Sequence, residues 1–328
     1  PGMLATARAF NVSVLGNGCC PPAAKGCAAC PRGWTRTPLL FNASQRQLAI
    51  VGMVDFVATH DLAGVNLDLE GTPRDSAAAV SSFVCGLRAE LQRRRPSSVL
   101  AFDGPMLPTC YQSARCNRSI PDVENYRGRF DFVALAQCVD LVLPMGYDLT
   151  GSAPDGGEAA SDAPLAVVTE GLDEWLALGV PPGKLALLLP WYGYDMACRP
   201  TAAALSDPSP GSASSISGCR VQLPWGTNNH ECGFGTIMLW KQEQRRRQQL
   251  ALGPGGVAGR DADGSPWFVH HNASGWRRKV YYDDAVSIAR KVAMCSSKGI
   301  AGVGVWTVDT LQPLRATAAP TNASAAMW

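Results

Sequence analysis

The sequence predicts an α/β protein built on a buried parallel sheet, either a (β/α)8 barrel or a doubly wound sheet. Short apolar runs recur at residues 9–15, 64–70, 98–103, 141–147, 184–191 and 300–306, each ending in polar or small residues. Most are followed by a helical pattern, the alternation expected of parallel strands joined by helical crossovers. The chain has 328 residues, enough for one barrel with insertions or for two ordinary domains.

The helices are read from apolar spacing. Residues 45–60 carry Leu48, Val51, Phe56 and Val57, and residues 75–95 carry Val80, Val84, Leu87 and Leu91 before Pro96 ends the run. Residues 165–178 and 284–297 repeat the pattern. The stretch from Trp191 to Ile300 is far longer than one crossover needs, and much of it is rich in Gly, Ser and Pro. With Cys198, Cys219 and Cys232 inside it, it reads as an inserted, disulfide-braced α+β subdomain at 193–280, ahead of the last strand. Residues 17–38 read as a smaller Cys-rich loop.

Composition narrows the function classes. A hydrophobic content of 46% supports a real core and excludes wholesale disorder. The formal charge is +2, from 29 basic and 27 acidic residues, so no strong field steers nucleic acid or an anionic membrane. The Arg93–Arg95 and Arg245–Arg247 runs read as solvated helix faces. No apolar stretch reaches the ~18 residues of a membrane span. The chain starts at Pro1 without a basic-then-apolar leader, as expected of a processed chain or a fragment.

Two signals bear on compartment. Twelve cysteines, an even number, fit a disulfide framework, whereas Cys19, Cys20, Cys27 and Cys30 alone could also form a zinc knuckle. No Cys/His pair follows those four at ligand spacing, which disfavours zinc. Sequons stand at Asn11, Asn42, Asn117, Asn272 and Asn322, each with Ser two residues on. Asn11 falls in an expected strand and is the weakest glycosylation candidate; Asn42, Asn117, Asn272 and Asn322 remain. Together the signals favour a secretory or lysosomal route.

The segment with most chemistry is residues 64–71, Gly-Val-Asn-Leu-Asp-Leu-Glu-Gly. In a strand, Asn66, Asp68 and Glu70 share one face, while Val65, Leu67 and Leu69 share the other. The apolar face packs under helices and the polar one points inward, rising to the C-terminal end where barrel sites sit. Two carboxylates ~7 Å apart perturb each other's proton affinity, which suits general-acid work. A metal-binding strand end or an ordinary polar terminus would read the same way.

This segment resembles the strand-four signature Asp-x-x-Asp-x-Asp-x-Glu of glycoside hydrolase family 18. Ala63 and Asn66 replace the first two acids, and Asp68 and Glu70 keep the last two. Met145-Gly-Tyr147-Asp148 is similar to the family's Met-x-Tyr-Asp motif, and Gly304-Val-Trp306 resembles its last-strand tryptophan. An exo-acting lysosomal branch of the family also carries Asn at the Asn66 position. That branch has the Pro-Trp-Tyr-Gly-Tyr-Asp run found here at 190–195, and the likeness continues through 235–238 and 280–283, with Ser287 and Lys291 following.

The resemblance implies the barrel, with strands one and two of the eight lying before this chain's first strand. An open sheet of six would leave edges unpaired, so the chain alone is expected to fold poorly. It also implies a glycosidase that cuts N-acetylglucosamine β-1,4 linkages, as in the chitobiose core of glycoprotein oligosaccharides, without a cofactor or metal. Glu70 would be the acid and then the base, Asp68 would orient the substrate's acetamido group, and Tyr147 would donate to its oxygen. Asn66, Met145, Asp148, Tyr192 and Trp306 would contact substrate. For Trp306 a core role is the alternative reading, and for Trp191 and Tyr192 core packing and a place in the cleft both stand. Asp103 could support the acids or merely cap a turn. An endo-acting chitinase and a chitinase-like lectin that binds without turnover are the alternatives. Expected partners are N-acetylglucosamine oligosaccharides, with no nucleic acid or membrane, and the chain is expected to act as a monomer.

Overall fold

The computed structural model describes residues 15–17, 42–69, 72, 75–109, 128–149, 158–198, 219, 236–238, 257–271 and 277–306. Glu70, the four cysteines of the zinc alternative, and Asn11, Asn117, Asn272 and Asn322 lie outside them. Six strands form one sheet in the order β1 (Leu15–Asn17), β2 (Gly64–Leu67), β3 (Val99–Pro105), β4 (Leu141–Met145), β5 (Ala186–Pro190) and β11 (Gly302–Trp306). The first four pair in parallel, with Asn17 beside Asn66, Asn66 beside Ala101 and Asp103 beside Leu143. This is the TIM-barrel-like α/β order; among the described residues the ring is not closed. The chain divides into two compact units, the first comprising Pro1–Met145, Glu170–Leu187 and Gly299–Gly302, and the second Gly146–Thr169, Leu188–Lys298 and Val303–Trp328.

In the first unit, helices α1 (Ala43–Thr59) and α2 (Ala77–Arg94) follow β1 and β2, and α3 (Phe132–Cys138) precedes β4. Asn42 caps α1, its side-chain oxygen accepting the Gln45 N–H at 3.1 Å, and stays exposed. The period of two is visible in burial: Val65, Leu67 and Leu69 are buried, while Asn66 and Asp68 are half-buried. The apolar set shares the core with Val80, Phe83, Val84, Leu87 and Leu91 of α2, which recur at helical spacing. An aromatic chain continues that core from Phe102 to Phe130, Phe132 and Trp175, with ring centroids 5.9, 5.5 and 5.0 Å apart in turn. The Trp175 indole N–H donates to the Pro105 carbonyl at 3.0 Å, so the ring has a polar partner despite full burial. A disulfide joins Cys85 of α2 to Cys138, and Lys184 donates to the Ala136 and Val139 carbonyls at the end of α3.

Several expected bounds change. The first strand, expected at 9–15, is found at Leu15–Asn17, with 9–14 outside the described residues. Strand β2 ends at Leu67 rather than running to residue 70, and β4 ends at Met145, with Asp148 three residues on in the left-handed region, φ +58°. The run at 184–191 begins with a 3₁₀ turn, Pro182–Lys184, since Pro181-Pro182 pre-sets a turn rather than a ladder.

The second unit holds an antiparallel sheet ordered β7 (Thr236–Met238), β6 (Gly193–Ala197), β10 (Arg277–Tyr282), β9 (Pro266–His271), β8 (Val257–Arg260). Among the described residues between 193 and 280 the regular elements are strands. One face packs Tyr192, Tyr194, Met196 and Tyr281 with the Cys198–Cys219 disulfide, and the other packs Phe268, Val280 and Tyr282. On the second face Asp195 accepts from Arg278 Nε at 2.7 Å and lies 3.1 Å from His270 Nε2, a cross-strand charge cluster. Helix α4 (Leu165–Ala177) precedes β5, and α5 (Ala285–Ser297) precedes β11. A capping box starts α5: Asp284 accepts from the Val286 and Ser287 N–H groups, and Ser287 accepts from the Asp284 N–H. The even cysteine count does not mean complete pairing, because Cys295 on α5 is a free, buried thiol, pushed up to about 11 by burial.

Two outcomes follow from this packing. A Cβ on Gly64 would lie 1.8 Å from the Val99 carbonyl oxygen, where neighbouring backbones meet. Gly64→Ala is expected to lower unfolding stability by roughly 1–3 kcal/mol, read by urea denaturation; an unchanged midpoint would contradict the close approach. Burial alone would raise the Asp195 carboxyl, but His270 and Arg278 outweigh it and hold the group below its ordinary value. A lowered carboxyl contributes stability above its unfolded value, about 3.9, and loses it as pH falls through the lower folded one. Asp195→Asn should therefore be less stable than the parent at about pH 5 to 6, with the gap closing below about pH 4. A gap that persists at the acid end would show that the charge is not its origin.

Candidate functional site

In the first unit the site residues come from the C-terminal ends of neighbouring parallel strands. The register that sets Asn66 beside Ala101 puts Asp103, two residues on, on the same face. The Asn66 amide donates to an Asp103 carboxylate oxygen at 2.9 Å, and Asp103 is buried. Asp68 is the next residue on that face of the β2 segment and is half-buried. Glu70 continues the same alternation in sequence and lies outside the described residues. Asp103, left between two readings by the sequence, is thus the acceptor that fixes the Asn66 amide. An Asp at position 66 would set two carboxylates against each other at this spot; an amide turns that repulsion into a hydrogen bond.

In the second unit the site is aromatic. Tyr147 stacks on Trp306, centroids 6.3 Å apart and planes 17° from parallel, and Trp306 is 45% exposed. The main chain supports the pair, the Trp191 N–H donating to the Trp306 carbonyl at 2.8 Å. The Tyr192 ring meets Tyr147 edge-on at 6.4 Å and Tyr194 at 5.8 Å. An open indole face beside an edge-on tyrosine suits the flat apolar side of a pyranose ring.

Asp148 is the polar centre of this group. Tyr192 and Tyr194 both donate their hydroxyls to Asp148 Oδ1 at 2.5 Å. They stand two residues apart, Tyr192 just before β6 and Tyr194 within it, which brings both phenols to one carboxylate. The Asp148 backbone N–H donates to Asp162 Oδ1 at 2.7 Å. Burial pushes the Asp148 carboxyl up, and the two tyrosine hydroxyls pull it back only in part. Burial pushes Asp162 well above the ordinary carboxylate range, and the Asp148 charge pushes it further. Both tyrosines are driven far above a free phenol, first by burial and then by these carboxylates, so they stay protonated donors. Beyond Asp162 lies a buried ion pair, Lys291 Nζ to Asp283 Oδ2 at 2.6 Å.

Among the residues read from sequence, Tyr147, Asp148, Tyr192 and Trp306 come together here, while Asn66 and Asp68 form their own group in the first unit. Met145 is half-buried at the end of β4, opposite Pro105. Tyr192 is 3% exposed with its hydroxyl on Asp148, so both readings of it hold in part: it is core, and it serves the site. Tyr194 and Asp162 were not singled out by the sequence. The Tyr-x-Tyr spacing at 192–194 was a usable signal for the first; the bond from Asp148 to Asp162 leaves none in a linear sequence. Among the described residues no His, Cys, Asp and Glu cluster could hold a metal ion, and no helix is long and apolar enough to cross a membrane.

The chain is similar to known proteins in sequence and in fold. The chain is 22% identical over 300 residues to di-N-acetylchitobiase of Rattus norvegicus, covering 89% of this chain and 73% of that protein. In fold it is similar to a chitinase from Chromobacterium violaceum, with a TM-score of 0.66 at 19% identity over 94% of this chain and 78% of that one. It is also similar to the class V chitinase of Nicotiana tobaccum in complex with NAG4, with a TM-score of 0.61 at 18% identity over 84% and 72% of the two chains. Residues 33–310 match the family described as glycosyl hydrolases family 18, a span that includes the strand, tyrosine and tryptophan motifs. With most of its length inside that match, the chain belongs to glycosyl hydrolase family 18 and is a glycoside hydrolase of the chitinase-like kind.

Proposed function

We propose that this glycosidase cleaves N-acetylglucosamine β-1,4 linkages in short oligosaccharides, including the chitobiose core of glycoprotein glycans, with retention at the anomeric carbon. The observation that carries this reading is the exposed Trp306 stacked on Tyr147, beside a carboxylate dressed by two tyrosine hydroxyls. A sugar ring laid on the indole would find hydroxyl and carboxylate partners at its edge.

The nucleophile in this scheme is the substrate's own acetamido oxygen, an exception to the two-carboxylate rule. Glu70 protonates the glycosidic oxygen as the acetamido oxygen attacks the anomeric carbon, and the leaving sugar departs with that proton. Asp68 accepts from the acetamido N–H and stabilises the cationic oxazolinium ring. Tyr147 donates to the acetamido oxygen and holds it in line. Water then attacks the anomeric carbon, Glu70 takes its proton, and the ring opens to give back the acetamido group. Asn66, Met145, Asp148 and Tyr192 complete the sugar-binding set. The bond from Asn66 to Asp103 supports it by leaving Asp68 to face the substrate without a second charge at position 66. Di-N-acetylchitobiase and chitinase relatives support the substrate class, and exo action on short chains is the form we favour. The cysteines and sequons favour a secretory or lysosomal setting, with Asn42, Asn117, Asn272 and Asn322 as glycan sites and the chain acting as a monomer.

The test is release of N-acetylglucosamine from chitobiose and chitotriose. Glu70→Gln should reduce turnover by at least ~100-fold at an unchanged fold, because it removes the transferable proton. Trp306→Ala should raise KM roughly tenfold with a smaller change in kcat, since the indole contributes binding area. Binding of chitobiose without any turnover in the parent protein would replace this reading with that of a lectin. Rapid cleavage of polymeric chitin with little action on chitobiose would replace it with an endo-acting chitinase.

A further inference from the structure

Asp162 lies in the segment leading into α4 and is 2% exposed. It grips the residues after β4 at two points. Its Oδ1 accepts the Asp148 N–H at 2.7 Å, and its main-chain carbonyl accepts the Leu149 N–H at 3.0 Å. Between these bonds sits the left-handed backbone of Asp148, at φ +58°. A non-glycine residue stays there only where its surroundings hold it. The second oxygen, Asp162 Oδ2, is buried with no hydrogen-bond partner among the described residues.

These facts divide the two acids between two roles. Asp148 Oδ1 receives two hydroxyl hydrogens, the pattern of a charged acceptor. An ionised Asp162 would leave one charged oxygen dry and unmatched beside a second charge, whereas a neutral acid loses far less on burial. Oδ1 already accepts, so the proton belongs on Oδ2. The other groups facing Asp162 do not remove the conflict. The tyrosines 192 and 194 spend their hydroxyls on Asp148, and Lys291 is matched by Asp283. We infer that Asp162 carries the proton of this acid pair and is a positioning residue for Asp148. As a neutral clamp it holds the left-handed turn that presents the ionised Asp148 carboxylate to Tyr192, Tyr194 and the bound sugar. Burial and the neighbouring Asp148 charge both act in the required direction on Asp162, opposed by the Asp148 N–H and Lys291.

The role of Asp148 toward sugar rests on the proposed function; the proton on Asp162 does not. If Asp162 ionises, its charge lies beside that of Asp148, and Asp148 is pushed from its tyrosines. Loss of that proton therefore costs activity, separately from loss of the Glu70 proton that the reaction itself needs.

Two measurements test the inference. Infrared spectra in D₂O at about pH 7 should show a buried carboxylic-acid carbonyl band in the parent protein that is missing in Asp162→Asn. No such band, or one that survives the substitution, overturns the proton assignment, and this readout stands whether or not the protein cleaves chitobiose. In kinetics, Asp162→Ala loses the N–H acceptor and should lower kcat/KM roughly 10- to 100-fold through misplacement of Asp148. Asp162→Asn keeps an oxygen for that N–H and cannot ionise, so it should rescue most of the loss. An Asn variant as impaired as the Ala variant, or an Ala variant with the parent's kcat/KM, overturns the positioning role. Should the Ala variant fail to fold, the band and the kcat/KM of the Asn variant decide alone.

Discussion

Asp148 holds a half-buried carboxylate, and the surrounding part of the second unit is arranged to make that tolerable. An isolated charge moved into such a place is costly, and nature satisfies it with donors rather than leaving it dry. Here the donors are two phenols, and hydrogen bonds to a charged group contribute about 1.5–3 kcal/mol each. That requirement reaches back into the elements. Tyr192 and Tyr194 must stand two residues apart on one side of the chain entering β6. Asp148 must leave β4 in a left-handed turn, and Asp162 must be near enough to take its N–H. The stacked pair of Tyr147 and Trp306 sits next to this network, with Tyr192 touching both, so the rings and the carboxylate share one support.

A different constraint shapes the first unit. Its strands are covered by helices, so every second side chain has to be apolar, and the remaining positions are the only places for chemistry. Val65, Leu67 and Leu69 fill the first set, and Asn66 and Asp68 occupy the second. The bond between Asn66 and Asp103 shows how the arrangement limits charge density: an amide next to a carboxylate gives a hydrogen bond where two acids would share a proton.

What could be read in advance followed from local periods. Burial of α2 at Val80, Phe83, Val84, Leu87 and Leu91, and the alternation through β2, are properties of a helix and a strand by themselves. The parallel order of the sheet followed from strands separated by helices. Less legible was the path after β4, because the left-handed turn at Asp148 is held by a partner fourteen residues away in sequence. Asp162 was invisible for the same reason: nothing beside it in the chain marks a buried acid in an otherwise ordinary Ser-Asp-Ala-Pro stretch. The cysteines were legible as a source of disulfides and not as pairs, since Cys85–Cys138 and Cys198–Cys219 are set by tertiary geometry and Cys295 stays free.

The chemistry proposed for Asp68, Glu70 and Tyr147 stands on participation of the substrate's acetamido group, and stereochemistry tests it most directly. Proton NMR of chitotriose at low conversion distinguishes the anomers of the first new reducing end before they equilibrate. Participation predicts that the β-anomer forms first, because two successive displacements at one carbon restore its configuration. First appearance of the α-anomer would mean that water attacks directly, and would contradict the scheme.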